Sequence, residues 1–237
     1  MAEPELPAPG RRVFLIYVLP ALAGALTLAS AVAAAQPGKV RLPTPDGLIP
    51  CKDNDLVVSA EKRVAASLHA EYLACFTSND KTPLQGASKT LLVAAEHAVA
   101  MSAPGGPFSL QDLDTLLSQD RARWQNFDPL SERFREDYVA RVNSLLEETT
   151  HVSMESVNPT LVSIERHDAN SYAVTSIREY VMSAGGERLR SVKATAVAMV
   201  LQGTQLVRLE ILREIRGPSD VDEARTQIAA WSRAVSG

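Results

Sequence analysis

This sequence has few histidines and cysteines. Its 237 residues include four histidines and two cysteines. His69, His97, His151 and His167 are scattered, with no HExxH and no i, i+4 pair, so no metal centre is expected. There is no GxSxG, no P-loop and no GxGxxG after a strand, which removes the local signatures of a nucleophile elbow, a phosphate cradle and a dinucleotide site. Gly105-Gly106 and Gly185-Gly186 read as turn glycines, and no cofactor is expected. A basic excess is also missing. The 24 Lys and Arg against 28 Asp and Glu give a formal net charge of -4. A sequence-independent nucleic-acid binder needs a basic face to displace counterions, so nucleic acid is not expected as a partner.

The chain does have one long apolar run, Val13 to Ala34. Arg11-Arg12 precede it, Pro20 interrupts it, and Ala33-Ala34-Ala35 close it before Gln36-Pro37-Gly38. A positive start, an apolar middle and a small-residue exit predict a secretory signal over residues 1–35, cleaved after Ala35. The alternative is an uncleaved inner-membrane anchor, since a run of roughly 22 residues can span a bilayer. Only in that case is the membrane a partner. Gly10-Arg11-Arg12-Val13-Phe14-Leu15 resembles a twin-arginine export signal, the alternative to ordinary secretion. The expected location is periplasmic or secreted. Cys51 and Cys75, the only cysteines, fall in the exported part. In an oxidising compartment they read as a disulfide, which would close a loop of about 25 residues and contribute roughly 3 kcal/mol.

Residues 36–50, with Pro43, Pro45 and Pro50, read as an extended lead-in to a single α+β domain over residues 51–237. Leu56, Val57, Ala60 and Val64 fit a short helix capped by Asp53 or Asn54, and Ser67 to Thr77 alternates as a strand. Ser88 to Met101 reads equally as a strand or an alanine-rich helix. After the break at Ser102 to Pro107, Ser109 as N-cap with Asp112 at N3 starts a helix that presents Leu110, Leu113, Leu117 and Trp124. A second helix is expected from Leu130 to about Glu148, with Phe134, Tyr138, Val142 and Leu145 on one stripe. The charged run Glu132 to Asp137 and the pair Glu147-Glu148 read as its solvated side.

The rest of the chain is organised around Thr160 to Val235. Four strands are expected, Thr160 to Asp168, Tyr172 to Ser183, Arg188 to Gln202 and Gln205 to Arg216, joined by turns at Asp168-Ala169-Asn170, Ala184-Gly185-Gly186 and Gln202-Gly203-Thr204. The third becomes apolar on both faces after Lys193, as an interior strand does. Pro218-Ser219-Asp220 opens a closing helix whose Val221, Ala224, Ile228, Trp231 and Val235 step by 3, 4, 3, 4. In the fourth strand Val207, Leu209, Ile211 and Ile215 share one face, which leaves Arg208, Glu210 and Glu214 on the other. With Arg178 and Glu179, that second face is expected to be wet and to hold any ligand-binding site, and His167 is a further ligand-binding candidate, which would face a cavity if the sheet were curved into a cone. No catalytic residues are assigned.

Two stretches resemble a family of uncharacterised exported bacterial proteins. Leu42-Pro43-x-Pro45-x-Gly47-Leu48-Ile49-Pro50-Cys51, followed by Leu68 to Thr77, is similar to their "LPxPxGF" strand and later "LLAxF" strand. Gly203 to Glu214, Gly217-Pro218-Ser219-Asp220-Val221 and Trp231-Ser232-Arg233-Ala234-Val235 are similar to their "GKLLxLYxYxxYxxxxDxxW…W" ending. Leu209-Glu210-Ile211-Leu212 stands where that family has aromatics, and Glu223-Ala224 lacks its first tryptophan. The resemblance implies no activity. The element order looks like an α/β/α sandwich of the Mog1/PsbP type, an antiparallel sheet packed by helices. The alternative is an NTF2-like cone, whose concave face would hold a small molecule or support catalysis. The reading favoured by the residues is a non-enzymatic binding or accessory protein of the bacterial envelope, with an unknown protein or small-molecule partner.

Overall fold

The structure, a computed structural model, describes residues 40–52, 56–78, 96–127, 139–140, 143, 152–184 and 187–237. It is built on one antiparallel sheet of seven strands: β1 (Leu48–Pro50), β2 (Glu71–Ser78), β3 (His97–Ser102), β4 (Val152–Asp168), β5 (Ser171–Ala184), β6 (Glu187–Gln202) and β7 (Gln205–Glu214). The spatial order is β1-β2-β3-β7-β6-β5-β4. The C-terminal strands follow one another as a meander, whereas β3 docks against β7 across a long stretch of sequence. Three helices are described, α1 (Leu56–Ser67), α2 (Leu110–Gln125) and α3 (Asp220–Ser236).

The helices lie on both faces of the sheet, which is the arrangement of a sandwich and not of a cone with an open concave face. On one face Ala65 of α1, Leu68 just after that helix, and Leu113, Leu116 and Leu117 of α2 pack with Val99, Met101, Tyr172, Val174, Met199 and Leu201. On the other, Ala224, Ile228, Trp231 and Val235 of α3 cover Ala194, Ala196, Ala198, Val207, Leu209 and Ile211. The three β6 alanines are fully buried. Their short side chains let α3 sit close to the sheet, and two-sided burial accounts for the run of apolar residues after Lys193. The expected α3 stripe is buried from Ala224 onward, and Trp231 lies edge-to-face on Phe76 with 5.6 Å between ring centres.

Helix α2 begins with the expected capping box, in which Ser109 and Asp112 satisfy each other's backbone N–H. Leu110 is one exception to its expected packing side: it is 46% exposed, and Leu116 takes the inward position instead. Two strand boundaries also differ from expectation. β2 starts at Glu71, because α1 runs to Ser67, and β4 starts at Val152, eight residues before Thr160. Pro159 lies within β4, the edge strand, where proline is tolerated. The end of the Ser88 to Met101 stretch is strand, from His97, and residues 88–95 lie outside the described residues. So do residues 1–39, with the expected signal or anchor, the Asp53/Asn54 cap, the Gly185-Gly186 turn and most of the second helix. Of that helix Val139 packs with Met154, Val157 and Tyr180, and Asn143 brackets the backbone of Met154 with two hydrogen bonds.

The lead-in is held as a strap. Trp231 Nε1 donates to the Pro43 carbonyl at 2.8 Å and Gln227 donates to that of Asp46. At its end, β1 pairs with β2, and Cys51 is bonded to Cys75 in the disulfide expected from the sequence. Among the described residues no helix is long and apolar enough to cross a membrane.

Candidate functional site

Residues two apart on a strand share a face, and the sheet register aligns them in rows. On the face beneath α1 and α2, one row runs Tyr172, Met199, Arg208, Met101 and the next Val174, Val197, Glu210, Val99. Below them come Leu161, Ser176, Thr195, Leu212, His97, then Pro159, Arg178, Lys193, Glu214, and finally Val157, Tyr180, Ser191. Arg178, Arg208, Glu210 and Glu214 are therefore brought onto one face, as the alternation predicts.

That face is not wet, which corrects the expectation. Arg208 is 4% exposed, and the Glu210 side chain 12%. The leucines of α2 and the apolar residues of α1 need a surface to cover, and the Val99, Met101 and Met199 positions between the charged ones supply it. Arg208 and Glu210 compensate by pairing with each other through the Arg208 guanidinium. Burial pushes the Glu210 carboxyl up in pKa, but the charges of Arg208, Arg178 and His97, with the Arg208 hydrogen bond, outweigh it and hold the group below the usual carboxylate range. Glu179 follows Arg178 on an extended strand and so faces the opposite side, where it pairs with Arg190. Glu214 lies at the margin, 41% exposed, with Arg216 beside it.

His167 is not part of this group. Its Nδ1 lies 2.8 Å from the Ser232 hydroxyl of α3, on the far face of the sheet. Burial and the charge of Arg233 push its pKa below the ordinary histidine value, against a smaller pull from Glu165 and Asp168.

Six polar residues on the α1/α2 side are not among the site candidates read from the sequence. His97 Nε2 is 3.0 Å from a Glu61 carboxylate oxygen of α1. The Tyr172 hydroxyl donates to Asp120 of α2 at 2.8 Å, both side chains buried. Lys193 is 1% exposed and Thr195 fully buried. Two of these had a visible signal. Asp120 recurs three residues after Leu117 on the inward side of α2, and Lys193 marks where β6 turns apolar.

The site's chemistry is therefore that of paired charges and buried donors. Burial raises the Asp120 carboxyl above its ordinary value, a shift that the Tyr172 hydrogen bond and the charges of Arg123 and Arg208 only partly offset. Burial lowers Lys193 to about 8, with Glu214 and Glu96 pulling the other way. Among the described residues, no three His, Cys, Asp or Glu side chains gather as a metal site would require. On the α3 side an open groove of about 520 Å³ runs between the lead-in and α3, lined by Thr44, Asp46, Asp222, Glu223, Gln227 and Trp231. Set against known proteins, the chain matches no family model, and no curated protein matches it.

Proposed function

We propose that this chain is an exported protein of the bacterial cell envelope that acts by binding a protein or small molecule, or as an accessory to an envelope assembly, without turning over a substrate. The observation that carries this reading is how the charged groups of the α1/α2 face are used. Arg208 with Glu210, His97 with Glu61 and Asp120 with Tyr172 bond within the sheet or between sheet and helix, and so hold the layers together. Catalytic acids and bases, by contrast, converge on a place where a reacting atom can sit. The Cys51–Cys75 bond supports an oxidising compartment.

Cell fractionation with thiol labelling tests the location: the protein is expected outside the cytoplasm with both cysteines oxidised. N-terminal sequencing of the mature chain separates a released protein, which starts at Gln36, from the anchored alternative, which keeps residues 1–35. Purified protein is expected to be inert on a broad panel of hydrolase substrates. Turnover abolished by a single substitution on the α1/α2 face would sink the non-enzymatic reading.

A further inference from the structure

Residues 40–45 form neither helix nor strand, and they run along α3 against the direction of that helix. They are held by side chains of the body that bond to the main chain of the strap. Gln202 takes both the N–H and the carbonyl of Arg41, Trp231 takes the Pro43 carbonyl and Gln227 that of Asp46. Val40, Leu42 and Leu48 add partly buried apolar contacts. Each of these bonds is weak once competition with water is counted, and β1 contributes a ladder of only three residue pairs.

The strap also crosses from one side of the sheet to the other. Val40, Leu42 and Leu48 pack on the α3 side, whereas α1, which starts at Leu56, packs on the opposite face. The crossing lies at the edge of β2. There Cys51 and Cys75 continue the register of Pro50 with Phe76, joined by the disulfide and by the Cys51 N–H, which donates to the Cys75 carbonyl at 2.9 Å. This is the only disulfide that two cysteines allow, and it pins the end of the strap to the sheet. Thr44, Pro45 and Asp46 form one wall of the groove of about 520 Å³, and α3 forms the other. A groove walled in this way exists only while the strap is docked.

We propose that the Cys51–Cys75 bond is a redox latch: it keeps the strap docked and the groove walled, and its reduction by a dithiol lets the strap leave α3 while the rest of the sheet stays folded. The step is thiol–disulfide exchange. A thiolate of the dithiol attacks Cys51 Sγ, because Cys51 is half-buried whereas Cys75 is 4% exposed. The S–S bond breaks, and Cys75 leaves as a thiolate and takes up a proton. The second thiol of the reductant then displaces Cys51, so the protein gains two electrons and two protons and the dithiol ends as its own disulfide. The long ladders of β4, β5 and β6 lie at the other side of the sheet and are untouched. This goes beyond the binding reading above and does not depend on it.

The test compares the purified protein before and after treatment with dithiothreitol, by amide hydrogen exchange and by fluorescence. Fluorescence is read in a Trp124→Phe background, which leaves Trp231 as the only indole. The Cys51 N–H reports the latch, and the Arg41 N–H, bonded to Gln202, reports the far end of the strap. Reduction is expected to speed exchange at both amides at least about tenfold, towards the roughly 100-fold that closing a loop of this length represents. It is also expected to shift Trp231 emission to the red, to leave the β5 and β6 amides slow, and to be reversed by reoxidation. Cys51→Ala with Cys75→Ala should show the same pattern without reductant. Faster exchange at Cys51 alone, with Arg41 and Trp231 unchanged, would overturn the proposal, because the bond would then staple one rung and nothing more. So would a uniform rise across all strands, or a double variant that does not fold, since either makes the bond a support of the whole sheet. These readouts use neither ligand nor substrate, so their failure leaves the binding reading standing.

Discussion

The Tyr172 hydroxyl of β5 and the Asp120 carboxylate of α2 form a buried hydrogen bond of 2.8 Å that ties the helix to the sheet. Tyr172→Phe removes the donor and leaves a desolvated carboxylate. A loss of about 1–3 kcal/mol is expected in urea unfolding at pH 7. The sign of the pH dependence follows from burial. Asp120 has its folded pKa raised above the unfolded value near 3.8, so it favours folding when protonated, and that contribution disappears as pH rises from 3.8 through the folded pKa. Asp120→Asn keeps an acceptor for Tyr172 and is expected to remove this decline. Unfolding curves of the two proteins across that acidic window check it.

Arg208 and Glu210 show the cost of separating a buried pair. Glu210→Gln leaves the Arg208 guanidinium buried beneath α1 and α2, and a loss of about 3–5 kcal/mol is expected. Replacing both residues with methionine should restore much of that stability, because no uncompensated charge then remains. Glu210 has a depressed folded pKa, so its contribution is full above the ordinary carboxylate value and is lost as pH falls through the folded one. Thermal melts of the single and double variants at neutral and acid pH measure both effects. A single variant as stable as wild type would contradict the pairing.

Lys193 predicts a rise in stability in alkali. Its folded pKa of about 8 is below the ordinary 10.5, so the charged form opposes folding. That penalty is complete below pH 8 and gone above 10.5, a difference of roughly 3 kcal/mol. The charged groups facing it are Arg178 on β5 and Glu214 on β7, with Glu96 ahead of β3. Stability of the ligand-free protein is expected to rise between these pH values in wild type and to stay flat in Lys193→Met, as read by urea titration.

The disulfide spans a sequence separation of 24 residues. Reduction, or Cys51→Ala with Cys75→Ala, is expected to cost about 3 kcal/mol. The loss should be concentrated in β1 and the adjoining end of β2, and hydrogen exchange under reducing conditions locates it.

Trp231→Phe retains most of the apolar packing on Phe76 but removes the bond to the Pro43 carbonyl. The expected loss is about 1 kcal/mol, with faster proteolytic cleavage in residues 40–46. Unchanged cleavage would show that the strap is held by its other contacts.

Much of this architecture was legible in the sequence. The alternation in Gln205 to Arg216 separates Val207, Leu209 and Ile211 from Arg208 and Glu210, and the observed strand separates them in the same way. The Ser109–Asp112 box and the α3 stripe depend on local spacing, so both were readable. What covers each face was not. Arg208 looks like a surface residue in sequence, because alternation reports which side a residue takes but not whether a helix lies there. His167 was grouped with Arg208 for lack of a register, and the β4 bulge between Arg166 and Asp168 shifts the alternation just at that residue. Asp120 and His97 were missed because their partners, Tyr172 and Glu61, are 52 and 36 residues away.

The side-chain amide of Gln202 accepts from the Arg41 N–H and donates to the carbonyls of Arg41 and Val235. One residue of the β6–β7 turn thus clasps both the lead-in and the last turn of α3. Entry and exit of the described chain are within a side chain's reach of each other, so a short linker could join them into a ring without disturbing any strand pairing. Reopening that ring at the exposed Ala169 turn would give a circular permutant with the same sheet order, in which the strap and α3 are continuous chain.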